Sequence, residues 1–253
     1  MTPKAYVDLA FTDGGVDKIC QQIRCHPLSV SQTDLCTFVE IDNANFVTLL
    51  QLLVIFRSGR EALLILLEHN PLILTAQAVN HIYPIRERQE VHSPIAVLAT
   101  SSLGREIIRV IITHNPKIIA ESTLNHSTDV LNLSGGLTPA AILSCFGDGV
   151  EILTALAQEG IMMLSNTLIS PVSLSTETGC VLHWLTTFPS GLELIKQMLY
   201  KRYESISAVE LAVLNTISPP SANVVRELKS LVGKGTDDLM MPQVGIGPLF
   251  KLN

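Results

Sequence analysis

Three groups of side chains in this 253-residue chain have types and spacings that invite a chemical reading. Cys20, Cys25, His26 and Cys36 lie close together, as zinc ligands do, yet no Cys-x-x-Cys pair is present and structural zinc sites are built on such spacings. Small buried side chains are the preferred reading there. Cys180 and His183 have the types of a thiolate nucleophile and its base, a pair that works only when the imidazole is brought against the sulfur. With Cys145 they define the alternative of a small-molecule or cysteine-dependent pocket. Asp17, Glu61, Glu106, Glu151 and Glu193 form a row of carboxylates suited to acid/base work, but their recurrence at one register points to helix starts, where an acid complements the dipole. Gly233-Lys-Gly235-Thr236 lacks full phosphate-loop spacing, and Gly245-Ile-Gly247 lacks a strand–helix context. No catalytic residue, metal ligand or cofactor is assigned.

The acids belong to a repeat. Each stands two residues after a glycine: Gly15, Gly59, Gly104, Gly149 and Gly191, spaced 44, 45, 45 and 42 residues apart. A leucine precedes each glycine by six residues, at Leu9, Leu53, Leu98, Leu143 and Leu185. Apolar residues follow at four and eight positions, as in Leu63 and Leu67 or Ile108 and Ile112, which puts them on one face of a helix. The acid is expected in that helix's first turn. Ser58-Gly-Arg-Glu61 and Ser190-Gly-Leu-Glu193 read as capping boxes, with Asp148-Gly-Val-Glu151 a near variant. Gly14 and Leu103 break the pattern and predict weaker starts. Pro27, Pro71 and Pro116 stop the helix, and Gly160 ends the fourth one. A short third helix is expected after Ser31, Thr75, Ala120, Ser165 and Ser207. An apolar helix precedes each glycine, opened by Ser93-Pro94 and Thr138-Pro139 in its clearest forms. In this register Cys36 takes the place of Asn80 and Asn125, and Trp184 that of Leu52, Val97 and Ile142, so Trp184 is expected in the core.

Thr138-Pro139-Ala140-Ala141-Ile142-Leu143, followed by Asp148-Gly149-Val150-Glu151, resembles an ankyrin repeat, and Val181-Leu182-His183 keeps the Leu-His step of that motif. The resemblance covers residues 5 to 232, strongest in the last three units. It implies an all-α, α-solenoid fold of about five helical repeats, a His183 that bonds a neighbouring loop, and a non-enzymatic protein–protein interaction scaffold. The units depart from the family in length, since ankyrin units have 33 residues. Lengthened, degenerate units of this kind are similar to the ankyrin-type repeats of effectors that intracellular bacteria inject into host cells. Armadillo and HEAT repeats, with periods of about 40–47 residues, fit the spacing better and stand as the alternative.

Hydrophobic residues make up 47% of the chain and charged ones 16%, which excludes general disorder. Net charge is −6 with no extended basic cluster, so a nucleic-acid footprint is missing. Mean hydropathy is +0.37, yet the most apolar stretch, residues 46 to 67, is broken by Arg57-Ser-Gly-Arg-Glu61 and reads as two helices folded back, not a membrane span. The N-terminal residues show no signal-peptide core, and five cysteines without framework spacing suit a reducing compartment. Residues 1–232 are expected to form one repeat domain, closed by a helical pair over residues 205–217 and 222–232. Residues 233–253 are expected to be an extended tail.

Function is then expected on the concave face and in the loops between units, which the repeat does not explain: residues 40–45, 86–90, 125–136 and 173–178. Stacking brings such loops to one edge, where repeat proteins commonly bind. Asp42, Arg86, Glu87, Arg88 and Glu177 are the candidate partner-binding residues. The partner expected is a host protein, reached by translocation from the bacterial cytoplasm into the host cytosol, with the tail as an export or docking peptide. The oligomeric state is left open.

Overall fold

The structure, a computed structural model, describes residues 1–42, 45–85, 90–127, 137–161, 163, 167, 171–174 and 177–201. It is mostly helical. The chain begins with α1 (Pro3–Ala10), α2 (Gly15–Cys25) and α3 (Gln32–Cys36), then a hairpin of β1 (Val39–Asp42) and β2 (Asn45–Val47). The same order returns as α4 (Leu49–Ile55), α5 (Arg57–His69), α6 (Ala76–Asn80), β3 (Tyr83–Ile85) and β4 (Glu90–His92). It continues with α7 (Pro94–Ala99), α8 (Ser102–His114), α9 (Glu121–Leu124), α10 (Pro139–Ser144) and α11 (Gly147–Gln158). After β5 (Pro171–Leu174) and β6 (Glu177–Cys180) come α12 (Val181–Thr186) and α13 (Pro189–Lys201). The helical pair expected beyond residue 201 and the tail at 233–253 lie outside the described residues.

Local chemistry explains the starts of the short first helices. The hydroxyls of Thr48, Ser93 and Thr138 accept from the N–H groups of Gln51, Ala96 and Ala141 at 3.2, 3.2 and 3.1 Å. Pro94 and Pro139 fill the first helical position, where a missing N–H costs nothing. The third helices begin in the same way at Ser31 and Thr75, while Ala120 offers no side-chain cap. Two residues before Pro27, Pro71 and Pro116 the long helices stop, at Cys25, His69 and His114. Gly160, at φ +85°, closes α11: its N–H bonds Ala157 O at 3.1 Å, and that of Ile161 bonds Leu156 O at 3.0 Å. This is the paired C-terminal arrangement that favours glycine.

The starts of the long helices differ from the sequence expectation. Helices α5, α8, α11 and α13 begin two residues before the repeat glycine, which is their third residue. Ser58, Asp148 and Ser190 therefore lie inside the first turn and form no capping box. Only Asp17 of the five acids stands in a first turn. Gly14, left-handed at φ 64°, gives α2 no side-chain cap, as expected; the start near Leu103 is instead well capped, by Ser101 accepting from Gly104 N at 3.1 Å.

The glycine serves packing. A Cβ on Gly15, Gly59, Gly104, Gly149 or Gly191 would stand well under 3.0 Å from the carbonyl oxygen of Leu9, Leu53, Leu98, Leu143 or Leu185. The long helix crosses the end of the short one so closely that only a residue without a side chain fits. The leucine six positions earlier is the other half of that contact, and Leu53, Leu98, Leu143 and Leu185 bury their side chains in the core.

Equivalent helices pack on one another along the chain. The long helices contact in the order α2, α5, α8, α11 and α13, and the short ones in the order α1, α4, α7, α10 and α12. One continuous apolar core, from Tyr6 to Ile195, lies between these two layers. Polar links cross from unit to unit at fixed places. Arg24 pairs with Glu61 at 3.0 Å, Arg105 with Asp148 at 2.7 Å and Arg109 with Glu151 at 2.7 Å. Asn80 donates to Ile118 O and accepts from Ala120 N, at 2.7 and 2.8 Å. In the preceding unit Cys36 donates to Ile73 O at 3.7 Å, and in the following one Thr167 donates to Asn125 at 2.9 Å.

Candidate functional site

The stretches between units fold as β-hairpins where the sequence suggested plain loops. Strands β1 and β2 pair Val39 with Val47, Glu40 with Phe46 and Asp42 with Asn45, with a bulge between Glu40 and Asp42. Alternation seats them: Val39 and Val47 pack with Val7 of α1 and Leu52 of α4, while Phe46 is 45% exposed. In the second hairpin Tyr83 faces His92, Pro84 faces Val91 and Ile85 faces Glu90. The third pairs Pro171 with Cys180 through to Leu174 with Glu177. Such short ribbons depend on what they pack against, because an isolated hairpin is marginal in water.

The roots of the hairpins are fixed. Trp184 is buried and its indole N–H donates to Val172 O at 3.4 Å, tying α12 to β5. Phe38 and His81, at the roots of the first and second hairpins, meet edge to face with ring centroids 4.5 Å apart. Burial pushes the His81 pKa below its ordinary value, so the ring sits there as neutral imidazole. Strand β2 also contacts β3, which sets the first two hairpins side by side.

All five candidate residues fall at a hairpin end where the two strands meet, or in the stretch of sequence joining them. Asp42 is the last residue of β1 and Glu177 the first of β6. Arg86, Glu87 and Arg88 lie outside the described residues, between the paired Ile85 and Glu90. The first two hairpins are neighbours. The third is separated from them along the chain by residues 128–136, which are also outside the described set.

Of the cysteine candidates, the side chains of Cys180 and His183 lie outside the described set, and the buried thiols that are described are not activated. Cys145 is buried, its Sγ donates to Ala141 O at 3.3 Å, and burial pushes its pKa up to about 11. Cys20 and Cys36 are buried as well, with thiols held above their ordinary pKa by desolvation. A nucleophilic cysteine needs the opposite shift. Cys25 alone of the described cysteines is exposed. Cys36 sits where repeat register put it, in the bridging place of Asn80. Among the described residues no cluster of three or more His, Cys, Asp or Glu side chains has metal-site geometry, and no helix is long and apolar enough to cross a membrane.

The sequence reading passed over the arginines beside the repeat glycines. Arg60 donates to Val54 O at 2.8 Å and Ile55 O at 3.3 Å, and Arg105 to Ala99 O at 3.1 Å. Each thereby caps the carbonyls at the end of the preceding short helix. The signal was Gly-Arg-Glu at residues 59–61 and 104–106, of which only the glycine and the acid were used. Compared with known proteins, the chain matches no family model, no curated protein and no solved structure.

Proposed function

We propose that the chain is an α-solenoid of lengthened ankyrin-like units that binds a protein partner along its hairpin edge. The observation that carries this reading is the hairpin between units, seen at residues 39–47, 83–92 and 171–180. An ankyrin unit combines a β-turn element with two helices, whereas HEAT and armadillo units are built of helices alone. The extra length of these units then resides in the third helix and its bridging residue. Equivalent helices in contact from α2 to α13 support the solenoid, and such stacks present extended surfaces more readily than enclosed clefts.

Asp42, Arg86, Glu87, Arg88 and Glu177 put both signs of charge at or beside the hairpin ends, which suits the mixed surface of a protein better than a polyanion. The partner class we favour is a host protein met by a translocated bacterial effector, a reading supported by the resemblance of the lengthened units. Capture from a eukaryotic lysate with the wild-type chain and with D42K/R86E/E87K/R88E/E177K tests the edge. One saturable protein retained by the first and lost by the second is the expected result. A partner held equally by both contradicts it.

A further inference from the structure

Arg60 and Arg105 each follow a repeat glycine and cap the preceding short helix, but their outer faces differ. Arg105 is buried, with its Nε on Asp148 Oδ1 at 2.7 Å and its Cζ 3.9 Å from the centroid of the Phe146 ring. One unit earlier the residues in those two places are Ser101 and Leu103. Arg60 thus has neither the ring nor the carboxylate. Its Nε is buried without a hydrogen-bond partner, a costly state for a charged donor. A recess of about 400 Å³ opens at the same spot, lined by Arg57, Arg60, Glu61, Ser101, Ser102 and Leu103.

We propose that this recess, between the first turns of α5 and α8, receives a carboxylate side chain from an acidic peptide segment of a protein partner. Arg60 is the principal contact, through the guanidinium edge that Arg105 turns to Asp148. Leu103, which stands in the place of Asp148 and packs only partly into the core, lines the recess and has to yield for an anion to reach the buried Nε. Of the first-turn N–H groups of α8, Gly104 N is already capped by Ser101, which leaves those of Ser102 and Leu103, both lining residues of the recess, without an intrahelical acceptor. Arg57 is 85% exposed and adds charge at the rim. Desolvation, with Arg57 nearby, lowers the pKa of Arg60, a destabilised charge that an added anion relieves. Glu61, held by Arg24 and Arg57, sets the limit: it repels a dianion more than a single carboxylate. Ile55 and Phe56 stand beside the recess 46% and 47% exposed, which favours an acid with an apolar neighbour. The recess lies at the end of α4 remote from its hairpin, so this inference goes beyond the hairpin-edge reading and either can fail alone.

Fluorescence anisotropy of the full chain with labelled acetyl-Gly-Phe-Gly-Asp-Gly-amide tests it. Saturable binding is expected, weakened about tenfold or more in the Asn-for-Asp peptide and in R60Q. A further variant keeps Arg60 and closes the site from within: L103D supplies the carboxylate that Asp148 supplies one unit later, and should lose the peptide while keeping a wild-type circular dichroism spectrum. Absence of saturable binding, or affinity in folded L103D within about threefold of wild type, overturns the proposal. Competition distinguishes the source of the anion. Acetate displacing the peptide at lower concentration than inorganic phosphate supports a carboxylate receptor, and the reverse order overturns that assignment.

Discussion

At the scale of single residues, burial decides what the titratable groups can do. Cys20, Cys36 and Cys145 are held as neutral thiols, Cys145 with a pKa of about 11, while Cys25 is exposed. Because the thiolate is the reactive species, a maleimide at neutral pH should modify Cys25 well before these three, which should react only as the chain unfolds. Peptide mapping that finds Cys145 modified first would contradict this and revive the cysteine pocket. His81 gives a pH dependence of definite sign. Its folded pKa lies below the ordinary 6.5 because burial penalises the imidazolium. Above that value the ring is neutral in both states and contributes no slope. As pH falls below it, the unfolded chain takes up the proton first, and stability drops until the folded pKa is passed. Urea midpoints should therefore fall as pH is lowered through the ordinary 6.5 towards the folded pKa, and H81F should remove part of that fall. An unchanged slope in H81F would place the titration elsewhere.

At the scale of elements, the repeat was legible because packing imposed it. The glycine and the leucine six residues before it mark one contact seen from its two sides, and both were visible in the sequence. What they do was not visible. The sequence suggested a cap, but a spacing cannot tell a residue needed for its N–H from one needed for its missing Cβ. Replacing Gly59 or Gly104 with Ala forces that Cβ into Leu53 O or Leu98 O, and should cost about 3 kcal/mol or prevent folding. A loss under about 1 kcal/mol by urea titration would show that the crossing relaxes easily. The hairpins were missed for a different reason. Strands of three or four residues give almost no alternation to read, and neither 43–44 nor 175–176 carries an Asn-Gly type turn. The bridging role of Asn80 was half legible: register gave the slot shared with Cys36 and Asn125, but not the backbone groups of the next unit that it reaches. Arg60 shows the converse. Its significance appears only when Ser101 and Leu103 are set beside Phe146 and Asp148, a comparison between units that the repeat itself supplies.

At the scale of the whole molecule, contacts run mainly between neighbouring units, and a surface built that way is read by a partner several units at a time. Two binding surfaces are proposed on it: the hairpin ends, with Asp42, Arg86, Glu87, Arg88 and Glu177, and the recess beside Arg60. The central claim is that the first of these binds a protein. A photoreactive residue placed in turn at 42, 87 and 177, and for contrast at 68 and 106 on the long helices, tests it directly in the presence of the captured partner. Crosslinks from the hairpin positions with none from 68 or 106 are the predicted result. Crosslinks from 68 and 106 alone would contradict the account and move the binding surface to the helices.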